Sequence, residues 1–174
     1  VQKGNNALQH VSKELRKDKK IRMAATRNYM NWTNKILVMA AVAKKGHALE
    51  HASEVLKGDK EVVMAAVAEN GNALQHALDV LKRDKEVVMA AVSVTRNGGN
   101  ALQFASNELK KNKEFIVAAV TQNGQALKNA LNGLNGDKDV VMAAVAQNGK
   151  ALKHASHELK GDKEVVMRNN ISSP

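Results

Sequence analysis

One nine-residue string dictates most of what this chain can become. Asp59-Lys60-Glu61-Val62-Val63-Met64-Ala65-Ala66-Val67 returns as Asp84 to Val92, and again as Asp137 to Val145 with Asp139 in place of Glu. Asn34 to Val42 and Asn112 to Val120 are looser copies, and Asp162 to Met167 is a shortened one. The starts at 34, 59, 84, 112, 137 and 162 lie 25, 25, 28, 25 and 25 residues apart. Each complete copy is followed by a Gly, by Ala-Leu, and by a second short apolar stretch such as Ala73-Leu74-Gln75-His76-Ala77. A fixed period of this length marks one supersecondary unit stacked on its own copies.

The spacing predicts two short helices per unit. Asp59 is a good N-cap, its carboxylate accepting from free first-turn amides, and Glu61 adds negative charge at the positive end of the dipole. Val62, Val63, Ala66 and Val67 fall on one face at helical spacing. Asn70-Gly71 is expected to end that helix with a left-handed Gly, which carries no Cβ penalty. A second helix, with Leu74, Ala77 and Leu81 in a narrow stripe and Lys82 and Arg83 at its end, is expected to follow. Gly58, Gly136 and Gly161 stand at the same place in other units. A helix of about eleven residues is only ~16 Å long and does not persist alone in water. Stability must therefore come from the neighbouring copy. The expectation is an all-α chain, a solenoid of tandem two-helix repeats with a period of about 25 residues. It forms one array over residues 1–174, with a degenerate basic end (1–33), regular repeats (34–161) and a clipped last unit (162–174).

Composition narrows the chemistry. The chain has no Cys, one Pro and four aromatic residues (Tyr29, Trp32, Phe104 and Phe115), which excludes a disulfide framework, a thiol nucleophile, cysteine-bound metal and Pro-rich disorder. The longest apolar run, Ile36 to Ala43, is far below the roughly 20 residues of a bilayer span. No secretory signal pattern opens the sequence. The first residue is Val and not Met, compatible with a fragment or a processed chain whose organelle presequence has been removed, and the compartment is left open.

The pattern Asp-Lys-Glu-Val-Val-Met-Ala-Ala-Val, then Asn-Gly, then Ala-Leu-Gln-His-Ala and Glu-Leu-Lys resembles the family known only as domain of unknown function 4116, from Gly4 to Met167. The resemblance implies tandem helical repeats, with no assigned activity and no functional residue to carry over. The departures lie at Tyr29 to Thr33, at Ser93 to Gly99 and after Met167.

In an array, agreement with the repeat reports packing, and deviation is where individuality resides. Asp18 and Asn34 are 16 residues apart, and Tyr29-Met30-Asn31-Trp32-Thr33 stands where a second helix belongs. This stretch reads as a degenerate end unit in preference to a contact site presenting Tyr29 and Trp32. Charge is also uneven. Residues 1–45 hold 11 cations and two anions, whereas residues 46–174 hold 16 and 15. The basic end, with Lys13, Arg16, Lys17, Lys19, Lys20, Arg22 and Arg27, suits an anionic surface such as an acidic protein face, lipid headgroups or a phosphate backbone. Equally, it reads as a solvated cap.

Reading of bases by helical repeats needs stacking side chains and base-edge donors in a fixed column. Here one variable column holds His10, His51, His76, Phe104, Asn129 and His154, which suits a half-buried position beside the apolar stripe. His47 with His51, and His154 with His157, share helical spacing, but zinc needs at least three protein ligands, so no metal and no cofactor is expected. Carboxylate pairs such as Asp137 and Asp139 recur in register at every helix start and read as caps, not as general acids. No GxGxxG or Walker loop occurs. The expectation is a non-catalytic scaffold or adaptor that binds protein through its repeat surface, as a peripheral subunit of a larger assembly. The alternative is an electrostatic adaptor holding nucleic acid or an anionic membrane through the basic end. The candidate partner contacts are Arg16, Lys17, Lys19, Lys20, Arg22, Arg27, Tyr29 and Trp32.

Overall fold

The computed structural model describes residues 33–94 and 100–172. Among them every regular element is helical and no strand occurs. The first three units run α1 (Lys35–Lys44) to α2 (Glu54–Lys57), α3 (Lys60–Glu69) to α4 (Asp79–Lys82), and α5 (Lys85–Ser93) to α6 (Asn107–Lys111). Next come α7 (Lys113–Gln122), α8 (Lys138–Gln147) with α9 (His157–Lys160), and α10 (Lys163–Ser172). Between the long and the one-turn helix of a unit lies a 3-10 segment: Gly46–His51, Gly71–His76, Asn100–Phe104, Gly124–Asn129 or Gly149–His154.

The long helices follow their sequence closely. Asp59 Oδ1 accepts from the amides of Glu61 (3.0 Å) and Val62 (3.2 Å), and the same cap recurs at Asp84, Asp137 and Asp162. Val62, Val63, Ala66 and Val67 are fully buried, as are their counterparts in α8. Each long helix packs on the long helix of the next unit, α1 on α3, α3 on α5, α5 on α7, α7 on α8 and α8 on α10. The 3-10 segments contact one another in the same order.

The second half of the unit differs from the expected amphipathic helix. Leu74, Ala77 and Leu81 are buried, but they do not share one helix. The 3-10 segment ends at His76, Ala77 and Leu78 are extended, and only Asp79–Lys82 returns to α-helix. The reason is a hydrogen bond between units. Leu78 N–H donates to the carbonyl of Lys57 (3.0 Å), Ser106 to Lys82 (2.9 Å), Leu131 to Lys110 (2.9 Å) and Ser156 to Asn135 (2.8 Å). In a continuous helix that amide would bond within its own segment; the break frees it to tie one unit to the one before.

Gly71 is not the left-handed cap that Asn-Gly suggests. Asn70 is extended (φ −147°, ψ 106°) and its side chain caps the 3-10 segment by accepting from Asn72 N–H (3.1 Å). A Cβ on Gly71 would run into the Ala91 carbonyl of the next unit, and one on Gly46 or Gly124 into the carbonyl of Ala66 or Ala144. Glycine is needed there for close approach. Left-handed backbone occurs among the described residues at Asn132 (φ 58°) and Gly133 (φ 74°), where a turn and the 3-10 segment Leu134–Gly136 replace the one-turn helix.

Candidate interaction surface

Two edges of the array carry its polar chemistry. The first runs along the N-termini of the long helices. Lys35 Nζ lies 2.8 Å from Asp59 and 2.7 Å from Glu61 of the next unit. Lys60 meets Asp84 and Glu86, Lys113 meets Asp137 and Asp139, and Lys138 meets Asp162 and Glu164, all at 2.7–3.0 Å. The hydrogen bond from Lys35 holds the Asp59 carboxyl below its ordinary range, and the bond to Asp59 raises Lys35. Sequence reasoning assigned these acids to capping alone and missed the lysine clamp. The signal was there, because a Lys stands between the two acids at each of these starts except in the looser copies. The run has one gap among the described residues: the unit after Lys85 starts with Asn112, and Lys85 makes no ion pair.

The second edge is the face of the 3-10 segments, where at two seams a residue of one unit meets a column residue of the next. His47 and His76 rings approach to 5.9 Å, edge to face, and Asn70 Nδ2 donates to His47 Nδ1 (2.8 Å). His76 Nε2 is buried without a partner. Burial pushes the His76 imidazole below its ordinary value, with Glu50 opposing and His47, Lys57 and His51 assisting. Three units on, His154 Nε2 lies 3.3 Å from Gln125 Oε1. Its imidazole is also held down, by burial first and then by Lys153, Lys128 and Lys160. The column is half-buried at His76, Phe104, Asn129 and His154, as its composition suggested, but exposed at His51.

His154 closes a 3-10 segment and His157 opens α9, with two non-helical residues between, so they do not share a helical face. Among the described residues no group of three or more His, Asp or Glu side chains could hold a metal. Arg16, Lys17, Lys19, Lys20, Arg22, Arg27, Tyr29 and Trp32, together with His10, lie outside the described residues. No helix among those described is long and apolar enough to cross a membrane.

Helical units that repeat in sequence and pack in chain order, three of them with a glycine under the next unit's carbonyl, define a tandem helical-repeat protein. The family model described as "Domain of unknown function (DUF4116)" matches residues 34–82, 59–98, 84–134 and 137–168, and the chain belongs to that family. No curated protein and no solved structure matches the sequence.

Proposed function

We propose that the chain is a non-catalytic scaffold or adaptor, an α-solenoid with a period of about 25 residues that binds protein through its repeat surface as a peripheral subunit of a larger assembly. The observation that carries this reading is the commitment of its ionisable groups. The acids at the long-helix starts are spent on caps and on lysine clamps between units, so among the described residues these recurring carboxylates serve the frame and not acid–base work. Packing of each unit on the next supports the solenoid.

The second reading, an electrostatic adaptor for nucleic acid or an anionic membrane, draws on the excess of 11 cations over two anions in residues 1–45. Changing Arg16, Lys17, Lys19 and Lys20 together to Gln separates the two. The scaffold reading expects the variant to co-purify with the same partner proteins as the parent chain. Loss of those partners, together with loss of heparin or nucleic-acid binding, overturns it in favour of the adaptor.

A further inference from the structure

Two sets of lysines stand apart among the described residues. Lys35, Lys60, Lys113 and Lys138 each sit between two carboxylates of the next unit. Lys128, Lys150, Lys153 and Lys160 are exposed, belong to the last two units with a 3-10 segment, and make no ion pair. Their position in the repeat shows how this arises. Lys57 and Lys82 occupy the place of Lys160 in earlier units and bond Glu54 (3.0 Å) and Asp79 (3.2 Å) of their own one-turn helices. In α9 the matching acid is replaced by His157. A second column reads Glu50, Gln75, Gln103, Lys128 and Lys153 along the chain, passing from acid through neutral to base. The face that begins with Glu50, Glu54 and Asp79 thus ends in unneutralised lysine.

These charges act on one place. Lys150, Lys153 and Lys160 line one open groove with Gly149 and Leu152, Lys128 lies in the 3-10 segment whose Gln125 meets His154, and Lys153, Lys128 and Lys160 all act against a proton on that ring. Glu158 is exposed on the same short helix and makes no ion pair. Because Lys128 belongs to one unit and Lys153 and Lys160 to the next, the patch crosses the seam between units, and an extended segment laid along the array meets both sides of it.

We propose that this seam is a docking surface for an extended acidic segment of a partner protein, whose carboxylates take the place of the acids that the last units lack. The proposal rests on the scaffold reading above and gives the chemistry of one partner. Nucleic acid fits the patch less well. Its ammonium groups are flexible point charges that suit scattered carboxylates, whereas single-strand binding combines basic charge with stacking rings. The four lysines come with no arginine and no Phe, Tyr or Trp, and the His154 ring among them is half-buried and turned to Gln125.

The test uses the full chain with Arg16, Lys17, Lys19 and Lys20 changed to Gln throughout, so that the basic end does not contribute. A fluorescein-labelled peptide rich in Glu is titrated by anisotropy at low salt, beside a labelled single-stranded oligonucleotide. Lys128→Gln, Lys153→Gln and Lys160→Gln together should weaken peptide binding about tenfold or more. Removing the same charge elsewhere, at Lys44, Lys85 and Lys163, should change it less than about twofold; thermal melts verify that both triple variants fold. Equal losses from the two sets overturn the proposal, because binding then reports net charge alone. Tighter binding of the oligonucleotide than of the peptide through the same three lysines overturns it in favour of nucleic acid. If the chain keeps its partner proteins while the patch variant binds peptide as well as its parent, the proposal falls and the scaffold reading stands. Loss of all protein partners in the parent chain removes the scaffold reading itself.

Discussion

The seam between Gly46–His51 and Gly71–His76 and the seam between Gly124–Asn129 and Gly149–His154 are built on one plan and present different chemistry. In both, a glycine lies under an alanine carbonyl of the next unit, and its N–H donates across the boundary, from Gly46 to Glu69 Oε2 (2.5 Å) and from Gly124 to Gln147 Oε1 (2.6 Å). Leu49, Leu74 and Leu127 are buried, and Leu152, at the same place in the second seam, is half-buried. Outside this frame the first seam places His47 against His76 near Glu50, and the second places Gln125 against His154 among lysines. Positions that pack from unit to unit are held to one residue size, while positions that face water only have to stay soluble and are free to specialise.

The strongest blow to this comparison would be unequal cost in the shared frame. Gly46→Ala and Gly124→Ala each drive a Cβ against a backbone carbonyl that cannot rotate away, so each should lower stability by about 1–3 kcal/mol in chemical denaturation. Tolerance at one glycine and not the other would mean that the two seams do not share their packing. A smaller effect is expected at the helix starts. Asp59→Ala and Asp137→Ala remove a cap, at about 0.5–2 kcal/mol each. Asp59→Asn and Asp137→Asn keep the cap, as Asn34 does with Ile36 and Leu37, and lose the charge that holds Lys35 or Lys113. Their fall in melting temperature should be smaller and should shrink as salt is raised. If Asn proves as costly as Ala, the clamp and not the cap secures these helices.

The caps and the valine face of α3 could be read from the order of residues, because both obey local rules about helix ends and spacing. The break at Ala77-Leu78 could not. It depends on the carbonyl of Lys57 standing where the Leu78 amide can reach it, a fact about the neighbouring unit and not about the segment itself. Gly71 was misassigned for the same reason, since Asn-Gly is a helix-end signal and the obstacle is Ala91 of the next unit. The lysine clamp was half visible: its acids were assigned, and its partner stood between them in the same motif. The lysines around His154 passed unnoticed because composition reasoning credited the basic excess to residues 1–45, and a patch made from two units is not contiguous in sequence. Of the contacts chosen from sequence, Arg16 through Trp32 lie outside the described residues, so the basic end stays an expectation.

The two seams should also answer acid with opposite electrostatic logic, though the effect on stability is the smallest expected here. Burial holds both His76 and His154 below the ordinary imidazole value of 6.5. The unfolded chain therefore binds more protons in this range. The stability from keeping each ring neutral is complete above pH 6.5, falls as pH drops below that value, and levels off below the folded pKa. His76→Phe should flatten that part of the pH–stability profile, and Phe suits the column because Phe104 occupies it in another unit. The surroundings then separate the seams. Glu50 supports a proton on His76 against His47, Lys57 and His51, whereas Lys153, Lys128 and Lys160 all oppose one on His154. Glu50→Gln should move the His76 titration further down, and Lys128→Gln with Lys153→Gln and Lys160→Gln should move that of His154 up, both followed by NMR of the imidazole resonances. If either variant moved both rings by the same amount, the overall charge of the chain and not the local seam would govern them.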